Sequence, residues 1–296
     1  MTETMAHRIV VLGGGYAGLT AAARLSETLP DADIALIDAK PQFVERIRLH
    51  EIAAGGIAQH LPYDEFMSAR NGRFIQARAE KIDPDDRIVH LAPGTVPGAD
   101  RFAVCLDSTE DCAETAARLE TLAETGGRVL IAGGGLTAIE AACEFGERMP
   151  GLKVLLAPGR NFGPDDAPGG LSRAGFDHVV ATLDRLGVET VAGARITGVG
   201  PDHAELENGD TIAYDLCLWA AGFLVPDLAA RAGIKVTGAG QIVTDHTLTS
   251  VSHPDIVAVG DAAHVETQTA GTCRMSCAAG RPMGERAAKT VAARIG

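Results

Sequence analysis

Residues 8–24 decide the fold, and they read RIVVLGGGYAGLTAAAR. The apolar run before the glycines is typical of a buried strand, and the alanine-rich run after them is typical of a helix. Glycines at positions 13, 15 and 18 give the spacing Gly-x-Gly-x-x-Gly between these two elements. A second apolar run, residues 34–37, leads directly into Asp38. The stretch therefore predicts a strand, a tight glycine turn, a helix and a second strand parallel to the first.

The glycine spacing indicates a site for a dinucleotide. Gly13 permits the tight turn, Gly15 lets the backbone approach a pyrophosphate, and Gly18 lets the helix pack closely on the strand. The N–H groups at the start of the helix would bind the anion. Asp38 is placed to accept hydrogen bonds from ribose hydroxyls. A tight turn without a ligand is the alternative, and the position of Asp38 argues against it.

The motif occurs twice, at an offset of 120 residues. The glycine run at 13–15 recurs at 133–135, and three further pairs align at the same offset: Leu19 with Ile139, Ala21-Ala22 with Ala141-Ala142, and Pro30 with Pro150. Each half reads as a β-α-β unit, and such units form parallel sheets covered by helices. The sequence thus predicts an α/β fold with a pair of Rossmann-like domains.

Later segments complete the second half and close the chain. Short apolar runs at 195–199 and 204–206, with a turn signal at 208–210, predict a meander of strands. Residues 215–223 predict a buried strand that reaches a glycine turn. A closing helix is predicted from about Cys273 to Arg294.

The second glycine motif differs from the first in its charges. It reads Gly133-x-Gly135-x-x-Ala138, and the residue that matches Asp38 is Pro158, with Arg160 two positions later. Loss of the carboxylate removes repulsion of a 2′-phosphate, and Arg160 could pair with one. This pattern favours NADPH over NADH. In the alternative, Arg160 is a solvated loop residue and NADH binds.

Composition excludes several other classes of protein. The net charge of −13, with one Trp and three Tyr, argues against a nucleic-acid partner. No run approaches the roughly 18 apolar residues of a membrane helix, and the start of the chain does not read as a signal peptide, so we expect a cytoplasmic protein. The six Cys form no CxxC pair. A disulfide framework, a structural zinc site and any other metal site are therefore not predicted.

Four ordered motifs together resemble a known family. They are RIVVLGGGYAGLTAA, its repeat RVLIAGGGLTAIEAA, then DLCLWAAGF and TLTSVSHPDIVAVGDAA. The chain resembles the pyridine-nucleotide-disulfide oxidoreductase superfamily, in particular its branch of type II NADH dehydrogenases and apoptosis-inducing-factor-like oxidoreductases. The resemblance implies that the second Rossmann-like domain is inserted into the first. The FAD-binding domain would comprise residues 1–100 plus 241–296, and the NAD(P)H-binding domain residues 101–240.

The resemblance also implies roles for individual residues. Those expected to bind FAD are Gly13, Gly15, Tyr16, Ala17, Gly18, Asp38, Ala39, Gly260, Asp261 and Ser276. Those expected to bind NAD(P)H are Gly133, Gly135, Leu136, Thr137, Ala138, Arg160 and Gly222. Glu140 near the nicotinamide and Cys277 near the flavin are the candidate catalytic residues. A helix that begins near Cys277 would stabilise negative charge on reduced flavin through its partial positive charge.

Structural roles are the alternatives for three of these candidates. Glu140 could serve only the helix dipole, because an acidic residue is favourable near a helix start. Asp261 could cap the helix that follows it. His50 could face the flavin or lie on a surface helix with alternating charges.

These features predict an FAD-dependent NAD(P)H oxidoreductase that passes a hydride from nicotinamide to flavin and then reduces a quinone or a small acceptor. One alternative is a dithiol oxidoreductase that uses Cys273 and Cys277, although an i, i+4 pair on one helix rarely forms a disulfide. A nucleotide-binding module without turnover is another. A homodimer is compatible with either enzyme.

The chain departs from the family pattern at one strand. The counterpart of 215–223 should lie at 95–103, which reads TVPGADRFA and is not a buried strand ending in a glycine turn. Residues 101–106 could replace that strand beside the flavin. Members of the family generally continue into a C-terminal domain, and the resemblance places acceptor binding there.

Overall fold

A computed structural model describes residues 7–92, 103–104, 109–160, 162–191, 193, 195–267 and 271–295. The elements of the first part of the chain are β1 (Arg8–Leu12), α1 (Tyr16–Thr28), β2 (Asp33–Asp38), α2 (Leu49–Ala53), α3 (Tyr63–Ser68), β3 (Arg73–Gln76), β4 (Arg78–Asp83) and β5 (Ile88–Ala92). The middle part contains α4 (Thr109–Thr125), β6 (Arg128–Ala132), α5 (Leu136–Arg148), β7 (Lys153–Ala157), α6 (Arg173–Arg185), β8 (Glu189–Thr190), β9 (Ile196–Val199), β10 (His203–Leu206), β11 (Thr211–Ala213) and β12 (Leu216–Trp219). The last part contains α7 (Leu228–Arg231), β13 (Ile242–Val243), β14 (Ala263–His264), β15 (Glu266–Thr267), β16 (Gly271–Thr272) and α8 (Cys277–Ile295).

The chain divides into two compact units. Unit 1 comprises Met1–Phe43, His60–Gly98 and Phe223–Gly296, and unit 2 comprises Val44–Gln59 and Ala99–Gly222. These bounds differ from the predicted domain limits at residues 44–59, 99–100 and 223–240. Residues 223–240 belong to unit 1 because α7 packs against β4, and residues 44–59 belong to unit 2 because α2 packs against α4 and α5.

The sheet of unit 1 contains three parallel strands, in the order β1, β2, β3. The central strand β2 is buried over Ile34–Ile37, and the side chains of Ile34 and Leu36 pack with Leu19, Ala22 and Leu25 of α1. Among the described residues, no strand pairs with the outer edge of β1. Val10 and Leu12 are accordingly 42% and 38% exposed.

The sheet of unit 2 has four parallel strands in the order β12, β6, β7, β8. Because side chains alternate along a strand, its two faces bury different partners. Val129 and Leu156 pack with Phe145 of α5 on one face. Leu130 and Leu155 pack on the other face with the antiparallel sheet β9–β10–β11. The predicted meander is therefore confirmed.

The predicted replacement strand at 101–106 lies in the described part of the chain only at Ala103 and Val104. There the prediction is wrong, because Val104 extends the sheet of unit 2 and not that of unit 1. Its N–H donates to the carbonyl of Cys217 and its carbonyl accepts from the N–H of Trp219, each at 2.8 Å. Residues 95–102 and 105–106 lie outside the described residues.

Helix α8 packs against α1 in unit 1, and small residues make this close approach possible. A Cβ atom built on Gly284 would lie 2.4 Å from the carbonyl oxygen of Ala17, which is closer than any atom of that kind can come. A Cβ on Gly280, one turn earlier, would make an ordinary contact of 3.6 Å with the Cβ of Ala17. Only the first of the two positions requires glycine.

We expect Gly284→Ala to lower the free energy of unfolding by about 1–3 kcal/mol, because α8 must move away from the α1 backbone. Gly280→Ala is the matched control, and it should leave stability unchanged or raise it by up to about 1 kcal/mol through its better helix propensity. Urea unfolding of the full chain, followed by far-ultraviolet circular dichroism, measures both. Equal effects of the two substitutions would contradict the close approach at Gly284.

Candidate functional site

The first glycine turn has the backbone geometry that the sequence predicted. Gly13 has a φ of +92°, which favours glycine, and its N–H donates to the carbonyl of Ile37 at 2.8 Å. A Cβ on Gly18 would lie 1.9 Å from the carbonyl oxygen of Gly13. The absence of a side chain at Gly18 therefore lets α1 start directly against the turn.

The N-terminus of α1 opens onto free space. Gly15 is its N-cap residue, with an extended backbone and no side-chain cap. A Cβ built on Gly15 would meet no protein atom within 4 Å. The first turn of the helix therefore presents its positive end to a volume that an anionic group could occupy.

The Asp38 carboxylate stabilises the first glycine turn through two hydrogen bonds. One carboxylate oxygen accepts from the N–H of Gly14 at 2.7 Å, and the other accepts from the N–H of Lys40 at 2.8 Å. The side chain was predicted as a ribose ligand. Since a carboxylate has about four acceptor positions, the two backbone hydrogen bonds leave capacity for a hydroxyl.

Tyr63 is a residue of this site that the sequence analysis missed. Its hydroxyl donates to the carbonyl of Gly14 at 2.9 Å, and its ring would lie 2.3 Å from a Cβ at Gly14. Gly14, the middle glycine of the run, is the signal that could have indicated a bulky neighbour, although not which residue supplies it. Tyr16, at the helix start, packs edge-to-face on Phe43 with the ring centroids 4.9 Å apart.

Two distant segments meet α1 at Ala17. Gly260 begins a short 3₁₀ turn, Gly260–Ala262, and a Cβ at Gly260 would lie 3.2 Å from the Cβ of Ala17. Helix α8 approaches the same residue through Gly280. Asp261 is exposed in this turn, and its carbonyl accepts from the side chain of Gln241. The structure thus brings the first glycine motif, the Gly-Asp turn and α8 together.

The start of α8 corrects one prediction. The helix begins at Cys277 and not near Cys273, because the hydroxyl of Ser276 accepts from the N–H of Ala279 at 3.2 Å and caps it. Cys273 precedes the helix, and its N–H donates to the carbonyl of Val265. The expectation that both cysteines share a helix face is therefore wrong. Both are free thiols.

The second glycine turn repeats the backbone of the first. The N–H of Gly133 donates to the carbonyl of Ala157 at 2.9 Å, and Gly135 is the N-cap of α5 with no protein atom within 4 Å of a Cβ. Ala138 is fully buried where the first motif has glycine. Leu136 and Thr137 are exposed at the start of α5. Gly222 is exposed three residues after β12.

Glu140 lies on α5, five residues after Gly135, and its side chain is about half exposed. Its carboxylate is 3.9 Å from Nδ1 of His50. His50, on α2, is only 6% exposed. The alternative in which His50 lies on a surface helix is therefore wrong, and the histidine is instead a buried neighbour of Glu140 within unit 2.

The surroundings of Arg160 change the charge argument for the second site. Its guanidinium forms an ion pair with the carboxylate of Glu207, which lies just after β10. Both side chains line a cavity of about 280 Å³ together with Arg195. The prediction of NADPH assumed that no carboxylate is near, and that premise is wrong. The ion pair between Arg160 and Glu207 could not be predicted from the sequence, since the two residues are 47 positions apart.

The described residues contain no group of three or more His, Cys, Asp or Glu side chains arranged to hold a metal ion. Among their helices, none is both long enough and apolar enough to cross a membrane.

Each unit contains a glycine turn between a parallel strand and a helix whose start has no side-chain cap. The family model of the pyridine nucleotide-disulphide oxidoreductases matches residues 7–280. The chain therefore belongs to that family and is an oxidoreductase of the FAD- and NAD-binding flavoprotein class.

Individual relatives cover most of the chain. An NADH dehydrogenase-like protein of Mycobacterium tuberculosis is 28% identical in an alignment of 320 positions that covers 95% of this chain and 78% of that protein. Demethylphylloquinone reductase NdbB of Synechocystis is 26% identical over 86% of this chain and 72% of its own length. The crystal structure of the sulfide:quinone oxidoreductase from Aquifex aeolicus has the same fold, with a TM-score of 0.80 and 21% identity over 98% of this chain and 77% of that one.

Proposed function

We propose that the protein is an FAD-dependent NAD(P)H oxidoreductase whose electron acceptor is a quinone. The observation that carries the proposal is the pair of uncapped helix starts at Gly15 and Gly135, each of which faces open space. A helix start that exposes its N–H groups after a glycine turn binds a pyrophosphate. Two such starts in one chain suit one flavin and one nicotinamide dinucleotide.

Unit 1 is the proposed FAD-binding domain. Its glycine turn, Asp38 with the adjacent Ala39, the Gly-Asp turn and the capped start of α8 all belong to this unit. The glycine turn would contact the pyrophosphate and Asp38 a ribose. The Gly-Asp turn would contact the polyol chain, and the start of α8 the ring that gains negative charge. Convergence of three of these elements at Ala17 supports a single ligand that touches all of them.

Unit 2 is the proposed NAD(P)H-binding domain, a second Rossmann-like domain inserted into the first. Residues 133–138 would hold the pyrophosphate at the start of α5, and Gly222 would leave room for the dinucleotide beside β12. Glu140 lies about 7 Å along the helix axis from Gly135 at a rise of 1.5 Å per residue. That position suits a polar contact with the part of the ligand beyond the pyrophosphate.

When bound, FAD would supply the hydride acceptor and donor chemistry. The side chains and helix starts of the protein would orient the cofactors and stabilise their charges. The start of α8, a helix of 19 residues, places partial positive charge at Cys277 and would stabilise an anion there. His50 lies beside the carboxylate of Glu140, with its Nδ1 3.9 Å away.

A quinone is the acceptor class that the relatives favour. The Synechocystis relative is named for reduction of demethylphylloquinone, and staphylococcal relatives that are 24–26% identical are named type II NADH:quinone oxidoreductases. The test is direct. The purified protein should show the visible absorption bands of bound flavin, lose them on anaerobic addition of NADH or NADPH, and recover them when a soluble quinone is added. A protein without flavin bands, even after incubation with FAD, would exclude the proposal.

We expect Gly15→Val to abolish flavin retention while the protein stays folded. The backbone at Gly15 is extended, so valine fits it, but the new side chain would occupy the pyrophosphate volume. Gly135→Val is the matched control in the other motif. It should retain flavin and lose reduction of that flavin by NADH or NADPH. Flavin content of the folded proteins decides the matter, and full retention in Gly15→Val would show that FAD binds elsewhere.

The thiols should be dispensable for turnover. Replacement of both Cys273 and Cys277 by Ser should leave the rates of flavin reduction and quinone reduction within about twofold, because serine also tolerates the first position of a helix. Steady-state rates with a soluble quinone provide the measurement. Retained flavin reduction with lost turnover would instead support a dithiol mechanism.

A further inference from the structure

Arg160 and Glu207 form an ion pair at the edge of a cavity in unit 2. The cavity of about 280 Å³ is lined by Arg160, Gly193, Arg195, Leu206, Glu207 and Asn208. It lies at the end of β7, since Arg160 follows Pro158, whose carbonyl oxygen would be 2.4 Å from a Cβ on Gly134 of the glycine turn. In the first half, Asp38 occupies the corresponding strand end.

We propose that Glu207 is the residue that selects the nicotinamide cofactor, by accepting a hydrogen bond from the ribose 2′-hydroxyl and rejecting a 2′-phosphate. The inference rests on the proposed binding of NAD(P)H by unit 2. It assigns the protein to NADH, and it gives Arg160 the role of holding Glu207 and not that of a phosphate ligand.

A 2′-phosphate and the carboxylate of Glu207 would compete for the guanidinium of Arg160. A 2′-phosphate needs the N–H donors of Arg160, and the carboxylate of Glu207 already accepts from that group. A phosphate would have to displace Glu207 and then lie beside its negative charge. A ribose hydroxyl, in contrast, donates to a carboxylate without displacing it.

The hairpin after β10 places this carboxylate. The N–H of Glu207 donates to the carbonyl of Arg195 at 2.9 Å. In the turn that follows, the side-chain oxygen of Asn208 accepts from the N–H of Asp210 at 3.1 Å. The hairpin therefore fixes the backbone of Glu207 beside the cavity, and the ion pair with Arg160 holds its carboxylate.

Removal of the carboxylate would leave a cavity lined by two arginines, Arg160 and Arg195, with no acidic residue. Two cations beside a ribose suit a phosphate dianion. The side chains of Arg160 and Glu207 are 61% and 42% exposed, and exposed ion pairs contribute little to folding. Glu207→Gln should therefore fold normally and change only the preference of the site.

The experiment measures binding without turnover, by titration calorimetry of the FAD-loaded protein with ADP-ribose and with 2′-phospho-ADP-ribose. The wild type should bind ADP-ribose more tightly. In Glu207→Gln the ratio of the two dissociation constants should shift toward the phosphorylated ligand by about tenfold or more, the size expected when a charge-assisted contact replaces a repulsion. Glu205→Gln removes the same charge two positions earlier, on β10 and outside the cavity lining, and should leave the ratio unchanged.

A further variant tests the role of Arg160. In the Glu207→Gln background, Arg160→Ala should weaken binding of 2′-phospho-ADP-ribose by about tenfold and leave ADP-ribose binding nearly unchanged. If the ratio of the two dissociation constants is unchanged in Glu207→Gln, or if the wild type prefers the phosphorylated ligand, Glu207 does not select the cofactor. Either result would leave the proposed function intact. Failure of both ligands to bind the wild type would overturn this inference together with the nicotinamide site of the proposed function.

Discussion

The contact between the start of α1 and the turn that precedes it governs the first half of the molecule. At Gly18, even a methyl group would lie 1.9 Å from the carbonyl oxygen of Gly13. This closeness aims the helix N-terminus at the space in front of Gly15, and it brings Ala17 within reach of α8 and the Gly-Asp turn. Any larger residue at position 18 would push the helix away. This shift would disturb the packing of α1 against both α8 and the Gly-Asp turn.

The two halves use the same turn in different sheets. In unit 2, β6 is flanked by β7 and β12, and Val104 continues the sheet beyond β12. In unit 1, β1 pairs with β2 alone among the described strands, and Val10 and Leu12 are partly exposed as a result. The glycine turn nevertheless has the same backbone hydrogen bond in both, from Gly13 to Ile37 and from Gly133 to Ala157. The same turn geometry therefore accompanies the strand–turn–helix–strand connection in both units.

Features within one β-α-β unit were predictable from the sequence because they depend on local spacing. The strand, turn and helix around each glycine motif, and the strand that follows, occur where apolar periodicity and glycine spacing placed them. The capping of α8 was also encoded locally, since Ser276 precedes the helix, but the apolar pattern alone suggested an earlier start. Contacts between segments far apart in the chain were not predictable. The burial of His50 beside Glu140 and the pairing of Arg160 with Glu207 depend on how α2 and the meander pack on unit 2, which no local pattern records.

The proposed ribose ligands of the two halves, Asp38 and Glu207, differ in their contribution to the fold. Asp38 accepts from the backbone N–H groups of Gly14 and Lys40, so its loss would disturb the turn itself. In the second half the turn contains no such side chain, since Pro158 occupies the position and packs its carbonyl against Gly134. The charge that we propose for the second ribose comes instead from Glu207, in the hairpin that follows β10. Because that carboxylate has no part in shaping the glycine turn, it can change without cost to the turn, and the proposed selection between a hydroxyl and a phosphate is separated from the folding of the proposed pyrophosphate site.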